Sequence, residues 1–222
     1  MIVGEQKPFE EIKQSVTPYK KLLVLGCGTC VKTCFAGGED EVAVLASSLR
    51  LAFKKDNQEI EIEELTVERQ CENEFIQEAA QSVTNADVVL SLACGAGVQA
   101  MAKRFMKAPI LPGLNTTFLG IQEKQGVFTE ECSGCGHCEL ATFGAICPVT
   151  RCSKRLLNGP CGGSKAGKCE VHPEIDCAWQ LIIERLTALG QLDNLRAYIP
   201  PKNWLTDTSG GPRKLVREDQ II

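Results

Sequence analysis

Aromatic side chains are scarce in this sequence, with eight Phe, two Trp and two Tyr among 222 residues. So few rings do not build the stacking platform on which single-stranded nucleic acid is held. An excess of positive charge is missing too. The 24 Lys and Arg against 28 Asp and Glu leave a formal net charge of −4, the reverse of the basic stripe expected of a general nucleic-acid binder. No apolar run approaches the roughly 18 residues of a membrane-spanning helix. The opening MIVGEQKPFEEIKQ has neither the basic start nor the apolar stretch of a secretory signal, so the expected compartment is the cytoplasm. There is no Ser-His-Asp set, no H-E-x-x-H and no P-loop. No pair of carboxylates stands apart from the acidic faces of helices.

Cysteine is what the chain has in abundance: thirteen, at Cys27, Cys30, Cys34, Cys71, Cys94, Cys132, Cys135, Cys138, Cys147, Cys152, Cys161, Cys169 and Cys177. A chain of this length buries enough surface to fold without covalent staples. Cytosolic thiols are kept reduced, and an odd number cannot pair completely within one chain. Reduced cysteines in groups point instead to metal.

The spacing of apolar residues predicts an α/β fold. Residues 1–20 read as an arm or helix limited by Pro8 and Pro18. KLLVL at 21–25 reads as a buried strand, and Val42, Leu45, Ala46, Leu49 and Phe53 recur at helical spacing between Asp40 and Lys55. EIEIEEL at 59–65 alternates as a strand does, and Phe75, Ile76, Ala79, Ala80 and Val83 mark a second helix. Residues 87–92 give a third strand, 97–106 a helix, and Pro109 begins a short extended piece. Strands alternating with helices predict a parallel sheet of Rossmann or flavodoxin-like type with right-handed crossovers. The expected organisation is an α/β domain over 1–120 and a Cys-rich, loop-rich metal-cluster domain over 121–205. The second is closed by a helix that starts at Cys177, and a polar tail over 206–222, mobile or ordered on a partner, follows.

Cys132-x2-Cys135-x2-Cys138 is the sharpest local signal. Three thiolates at this spacing wrap one face of an iron–sulfur cube from a single loop, and Gly134 and Gly136 let that loop curl. Cys147-Pro148 follows after eight residues rather than the three of the bacterial ferredoxin run, which leaves the fourth ligand open. Zinc favours two CxxC knuckles and is the structural rival. Cys152, Cys161, Cys169 and Cys177 match no single template, and both iron and zinc suit them. Two four-cysteine sites fit the arithmetic, but spacing does not decide which cysteine serves which. His137 and His172 are substitute ligands or exposed loop residues. Lys154, Arg155, Lys165 and Lys168 either offset the charge of a cluster or form a solvated face.

In LGCGTCVKTC, residues 25–34, three cysteines stand at the carboxyl end of the first expected strand, where parallel sheets place ligands. Cys71 and Cys94 follow the second and third strands. Five converging thiols suit a four-iron cluster with one sulfur left over; Cys30, Cys34, Cys71 and Cys94 are the first choice, because Cys27 still belongs to the strand. Two other readings compete. CGTC resembles a thioredoxin-type pair, but the helix expected to follow begins only near Asp40, and GCGTCV lacks the GxGxxG spacing of a nucleotide loop. Cysteine also serves as a small buried apolar residue, which is the plain alternative for Cys71. With sulfur in abundance and catalytic sets absent, the chain reads as an electron carrier rather than a stand-alone enzyme.

Longer blocks carry a resemblance. LGCGTCVKTCFAGGEDEV, ERQCE, SLACGAGVQAMA and LPGLNTTFLG in the first half, with ICPVTRCSKRLLNGPCGG, GKCE and CAWQLIIERLTALGQLD in the second, resemble the small iron–sulfur subunit of the methylenetetrahydrofolate reductases of acetogenic bacteria, the MetV type. The resemblance spans nearly the whole chain. It implies a non-catalytic electron-transfer subunit with two to three [4Fe–4S] clusters, zinc being possible at one cysteine site. Its partner would be a flavin-containing barrel subunit that reduces methylenetetrahydrofolate in the methyl branch of the reductive acetyl-CoA (Wood–Ljungdahl) pathway. Electrons would pass between that flavin and a larger ferredoxin- or NADH-linked complex. Fusions in the family, in which the second-half motifs follow the barrel, imply a docking role for LNGPCGG. The alternative is a zinc-stabilised assembly subunit of the same complex without a redox role.

Overall fold

A computed structural model describes residues 1–221. The chain divides into two compact units, Met1–Thr129 and Glu130–Ile222. Strands are β1 (Ile2–Gln6), β2 (Lys21–Cys27), β3 (Glu61–Val67), β4 (Val88–Ser91), β5 (Ile110–Pro112), β6 (Leu114–Lys124) and β7 (Val127–Cys132). Helices are α1 (Phe9–Val16), α2 (Cys30–Thr33), α3 (Glu39–Lys55), α4 (Asn73–Glu78), α5 (Ala80–Asn85), α6 (Gly95–Arg104), α7 (Pro148–Arg151) and α8 (Ala178–Ala188).

The first unit is built on a four-stranded sheet of order β3-β2-β4-β5, with every neighbouring pair parallel. Successive residues of a strand face opposite sides, and the central strands show it cleanly. Leu22, Val24 and Leu90 pack with Ile12 and Val16 of α1 and Val42, Leu45, Leu49 and Phe53 of α3. Leu23, Leu25 and Val89 pack on the other face with Ile76, Val83 and Met101 from α4, α5 and α6. Strands apolar on both faces belong in the middle of such a sheet, and β2 and β4 are there. α3 starts where Glu39, Asp40 and Glu41 meet the positive end of the helix dipole, and Glu41 also accepts from the Gly38 N–H at 2.8 Å.

From β2 the chain leaves to one side to form β3, then returns past β2 to form β4. That reversal puts the switch point of the sheet at the carboxyl ends of β2 and β4, the place where doubly wound sheets receive ligands. Gln70, fully buried in the loop after β3, bolts this edge together. Its amide donates to the carbonyls of Leu25 at 2.8 Å and Gly26 at 2.9 Å, and its oxygen accepts from the buried Ser91 hydroxyl at 2.6 Å. Ser91 in turn accepts from the Ala93 N–H at 3.3 Å.

The sequence pattern and the structure differ at four places. β1 lies antiparallel on β6, and β7 follows β6 to give a second sheet, of order β1-β6-β7. The run from Leu114 to Lys124 is mostly polar and buries only Leu114 and Gly120, so its alternation carries no signal. The expected N-terminal arm or helix is thus a strand followed by α1, which begins after Pro8 and ends before Pro18. The single helix expected through 75–83 is two short ones broken at Ala79. A turn of helix, α2, also begins directly at Cys30, where none was expected before Asp40.

The second unit holds little regular structure beyond α7, α8 and short 3-10 turns. Its core gathers Phe143, Trp179, Ile182 and Leu186, with Phe143 edge-on to Trp179 at 5.6 Å between ring centres. The Trp179 indole N–H donates to the Leu156 carbonyl at 3.1 Å. The segment is Cys-rich and loop-rich, and α8 follows its last cysteine.

Gln70→Ala takes the acceptor away from the buried Ser91 hydroxyl and the donor away from the strand ends. A buried polar group left unpaired costs about 1–3 kcal/mol. Urea unfolding of the full chain is therefore expected to show an earlier midpoint for this variant, with the secondary structure before the transition unchanged; an unmoved midpoint would mean that the bolt holds nothing.

Candidate metal centres

The thirteen cysteines are free thiols in this structure, and the fold sorts them into groups. At the carboxyl edge of the sheet, Cys27 is the last residue of β2 and nearly buried. Cys94 is the N-cap of α6, and Cys71 follows Gln70 in the loop after β3. The Cys71 thiol is pushed above its ordinary pKa by partial burial, and next by the neighbouring Cys27 and Cys94. These three therefore share one electrostatic neighbourhood. Cys34 turns elsewhere: its Sγ lies 3.6 Å from the Ile2 carbonyl, and burial, offset in part by the Gly4 backbone and added to by Cys30, holds its thiol protonated to higher pH. Cys27, outside the first-choice set, thus stands with Cys71 and Cys94, whereas Cys34 stands with Cys30.

Cys30 opens α2, so the objection that no helix follows CGTC does not hold in three dimensions. With four residues, α2 is too short for its aligned dipoles to sum to much. Gly37 explains how the turn after α2 comes back to the sheet: a Cβ there would strike the Leu92 carbonyl, and only glycine allows that approach.

In the second unit, Cys132 ends β7, and Cys135 and Cys138 follow on a loop whose Gly134 and Gly136 have φ of 62° and 80°. Cys147 caps α7, with Pro148 in its first turn. These four cysteines line one cavity of about 310 Å³. The Gly134 N–H donates to Cys132 Sγ at 3.3 Å, a bond that stabilises a thiolate and so suits a metal-bound sulfur. His137 lies on the same loop, 3.6 Å from the Glu139 carboxylate. His172 is exposed and does not line this cavity.

The outer side of this loop is covered by the chain beyond α8. Lys202 donates to the His137 carbonyl at 2.6 Å, Thr206 to the Cys135 carbonyl at 2.8 Å and Arg213 to the Gly134 carbonyl at 2.7 Å. Three successive stretches of loop backbone are satisfied this way, and the sulfurs are left to face the cavity. The sequence offered no sign of this clasp, because its partners are main-chain carbonyls and no side-chain pattern announces them.

The other four cysteines form a second group. Cys152 caps the end of α7, Cys177 caps the start of α8, and both pack on the Phe143–Trp179 core. Cys161 and Cys169 come from the intervening loops, and all four line a cavity of about 20 Å³. Cys161 Sγ accepts from the Gly163 N–H at 3.5 Å. The Cys169 thiol is held below its ordinary pKa by the Ser153 hydroxyl, then by the backbone of His172 and Val171. Among the basic residues, Lys154 pairs with Glu170, Lys168 with Asp176 at 2.6 Å, and Arg155 lies over the Trp204 ring at 5.5 Å. Much of their charge is already answered locally.

Among the described residues, no three His, Cys, Asp or Glu side chains are drawn close enough together to hold a metal ion as they stand. The thiols line their cavities but point to hydroxyl, carboxylate and main-chain partners. The residue types nevertheless fit a thiophilic metal, since each group in the second unit offers four sulfurs against one or two carboxylates. A cavity of the first unit, about 440 Å³ and lined by residues such as Val83, Phe105 and Met106, lies beside the amino ends of β4 and β5. It contains no cysteine. Among the described residues, no helix is long and apolar enough to cross a membrane.

Residues 111–205 match the family model described as methylene-tetrahydrofolate reductase C terminal. The matched stretch includes all eight cysteines from Cys132 to Cys177, so both cavities belong to a methylene-tetrahydrofolate reductase C-terminal domain. The match associates the chain with that enzyme. No curated protein and no solved structure matches the chain.

Gly136→Ala tests the clasp. At φ of 80° an alanine is strained by roughly 1–2 kcal/mol, and its Cβ would meet the Thr206 carbonyl. Hydrogen exchange is expected to speed up together in peptides covering 132–138 and 202–213. Faster exchange in one peptide alone would show that the two segments are not coupled.

Proposed function

We propose that this chain is the iron–sulfur electron-transfer subunit of a methylenetetrahydrofolate reductase complex. The observation that carries the reading is the cavity shared by Cys132, Cys135, Cys138 and Cys147 inside a domain of that enzyme's C-terminal family. Three thiols from one tight loop and a fourth from a helix cap would serve as ligands of a [4Fe–4S] cluster once drawn together, and a cavity of about 310 Å³ has room for one. A cluster bound there supplies one-electron transfer. The chain supplies the rest: the positive-φ glycines curl the loop, the Gly134 N–H bonds to Cys132, and Lys202, Thr206 and Arg213 hold the loop backbone from behind.

A second sulfur-rich place, at the switch point between β2 and β4, is the proposed site of a further cluster, with ligands drawn from Cys27, Cys30, Cys34, Cys71 and Cys94. The Gln70 bolt fixes the loop that carries Cys71 against the strand ends next to Cys27. Electron transfer between clusters needs rigid holders, since reorganisation of the ligands adds to the barrier. The partner in this reading is a flavin-containing catalytic subunit, because a flavin converts single electrons into the two-electron reduction of a folate. A larger ferredoxin- or NADH-linked complex is the proposed electron source in the methyl branch of the reductive acetyl-CoA pathway.

Iron and acid-labile sulfide in anaerobically purified full-length chain, with EPR after dithionite reduction, test this. At least one four-iron cluster per chain is expected, and Cys135→Ser should remove about four irons while Cys71→Ser removes a different set. Fewer than about four irons per chain in the unsubstituted protein would end the reading and favour an assembly subunit without a redox role.

A further inference from the structure

The four-stranded sheet of the first unit ends in β3 on one side and β5 on the other, and the two free edges differ in chemistry. In a parallel sheet, alternate residues of a strand turn their N–H and C=O groups to one side and the rest to the other. On β5, the Pro109 carbonyl accepts from the Val89 N–H at 2.9 Å, and the Gly113 N–H donates to the Ser91 carbonyl at 2.8 Å. Ile110 and Pro112 therefore face outward. Proline has no N–H, so this three-residue edge offers a new strand a single donor.

β3 is longer, with seven residues and no proline. The Glu61 N–H donates to the Lys20 carbonyl at 2.8 Å, and the Val67 carbonyl accepts from the Gly28 N–H at 2.9 Å. The odd-numbered residues thus bond toward β2, which leaves Ile62, Glu64 and Thr66 with their main-chain groups turned outward. Of those groups, only the Ile62 carbonyl has a hydrogen-bond partner among the described residues, the Arg50 guanidinium of α3 at 2.7 Å. The same guanidinium holds the Glu64 carboxylate at 2.5 Å.

We propose that the outer edge of β3 takes up an extended, basic segment of a partner protein as a fifth strand. Three outward N–H groups and two open carbonyls in one row are what strand addition needs. Charge selects the occupant. Glu59, Glu61, Glu63 and Glu64 crowd the start of the strand, and all four are exposed. Lysine or arginine at alternate positions of an added strand answers these carboxylates, because opposite charges across strands favour pairing and like charges oppose it. A second copy of this chain is the wrong occupant. Glu64 is the middle residue of β3, so two such strands paired antiparallel about a two-fold axis would set Glu64 against Glu64.

Arg50 is the latch on this edge. It covers the Ile62 carbonyl and neutralises Glu64. An incoming N–H takes over the carbonyl, and an incoming lysine or arginine takes over the carboxylate. No covalent bond is made or broken. The inference goes beyond the electron-transfer reading and uses only the sheet of the first unit, so it stands whether or not the cysteines hold metal.

Titration of the full chain, purified without oxygen, with a capped Lys-Val-Lys-Val-Lys-Val-Lys peptide tests this, read by residue-resolved amide exchange. In the free chain, the amides of Ile62, Glu64 and Thr66 should exchange faster than those of Glu63 and Leu65, and the peptide should slow all three. Arg50→Ala should tighten binding by roughly two- to tenfold, the worth of one hydrogen bond. Glu61→Lys should weaken it by about two- to fivefold. Thr66→Pro removes an N–H that the ladder to β2 does not use, and should weaken binding by about tenfold. Glu61→Lys, on the exposed surface, carries the same test if Thr66→Pro disturbs the sheet. Peptide binding that leaves the three amides unprotected is charge attraction alone and would overturn the proposal. Equal protection by Glu-Val-Glu-Val-Glu-Val-Glu, looser binding by Arg50→Ala, or dimerisation of the chain through β3 would overturn it as well.

Discussion

Thiolates held side by side repel one another, and each becomes harder to ionise as its neighbours approach; a bound cation reverses that sign. This is the constraint around which the chain is arranged. Cys71 shows the unfavourable side of it, since burial and the nearness of Cys27 and Cys94 raise its pKa. At Cys169 the shift has the opposite sign, because a hydroxyl and backbone donors aimed at its sulfur favour the thiolate. Bringing cysteines together costs free energy in a chain without metal, and a bound metal would recover that cost. Thirteen cysteines in three places suggest metal sites.

The two units meet this constraint by different means. In the first, α1 and α3 cover one face of a parallel sheet and α4 to α6 the other, with apolar clusters that suffice for folding. Cysteines can sit at the sheet edge there without having to support it. In the second, a core of Phe143, Trp179, Ile182 and Leu186 serves a long run of loops. Below a certain amount of buried apolar surface, domains rely on cross-links or metal. Positive φ at Ala145, Arg155 and Ala166 is unusual for residues other than glycine.

Most of the sheet was legible because apolar residues on β2, β4 and α3 repeat at the periods that strand and helix impose. The limits of α3 were legible as well, from the acidic start and basic end that the helix dipole favours. β1, β6 and β7 were not, since a half-exposed antiparallel strand such as LNTTFLGIQEK offers no apolar alternation to read. The groups of cysteines were visible as a list of positions, and the division of the last eight into two sets of four became clear only from the cavities they line. Gln70 escaped notice for a simpler reason. A lone glutamine beside a cysteine has no pattern, and its importance lies wholly in three hydrogen bonds to residues distant in sequence.

Gln70 also shows why the first unit keeps its thiols where it does. At the switch point, the Leu25 carbonyl accepts from the Leu92 N–H at 2.8 Å. Gln70 adds a second donor to Leu25 and one to Gly26, and Ser91 locks its amide in place. The loop bearing Cys71 is thereby fastened to the strand that ends in Cys27, and β4, which ends three residues before Cys94, is fastened to both through Ser91 and the Ala93 N–H. One neutral amide thus links the three chain segments whose sulfurs share a field. A charged residue in its place would add to that field, and an apolar one would take the donor from Gly26 and the acceptor from Ser91; the neutral, doubly donating amide does neither.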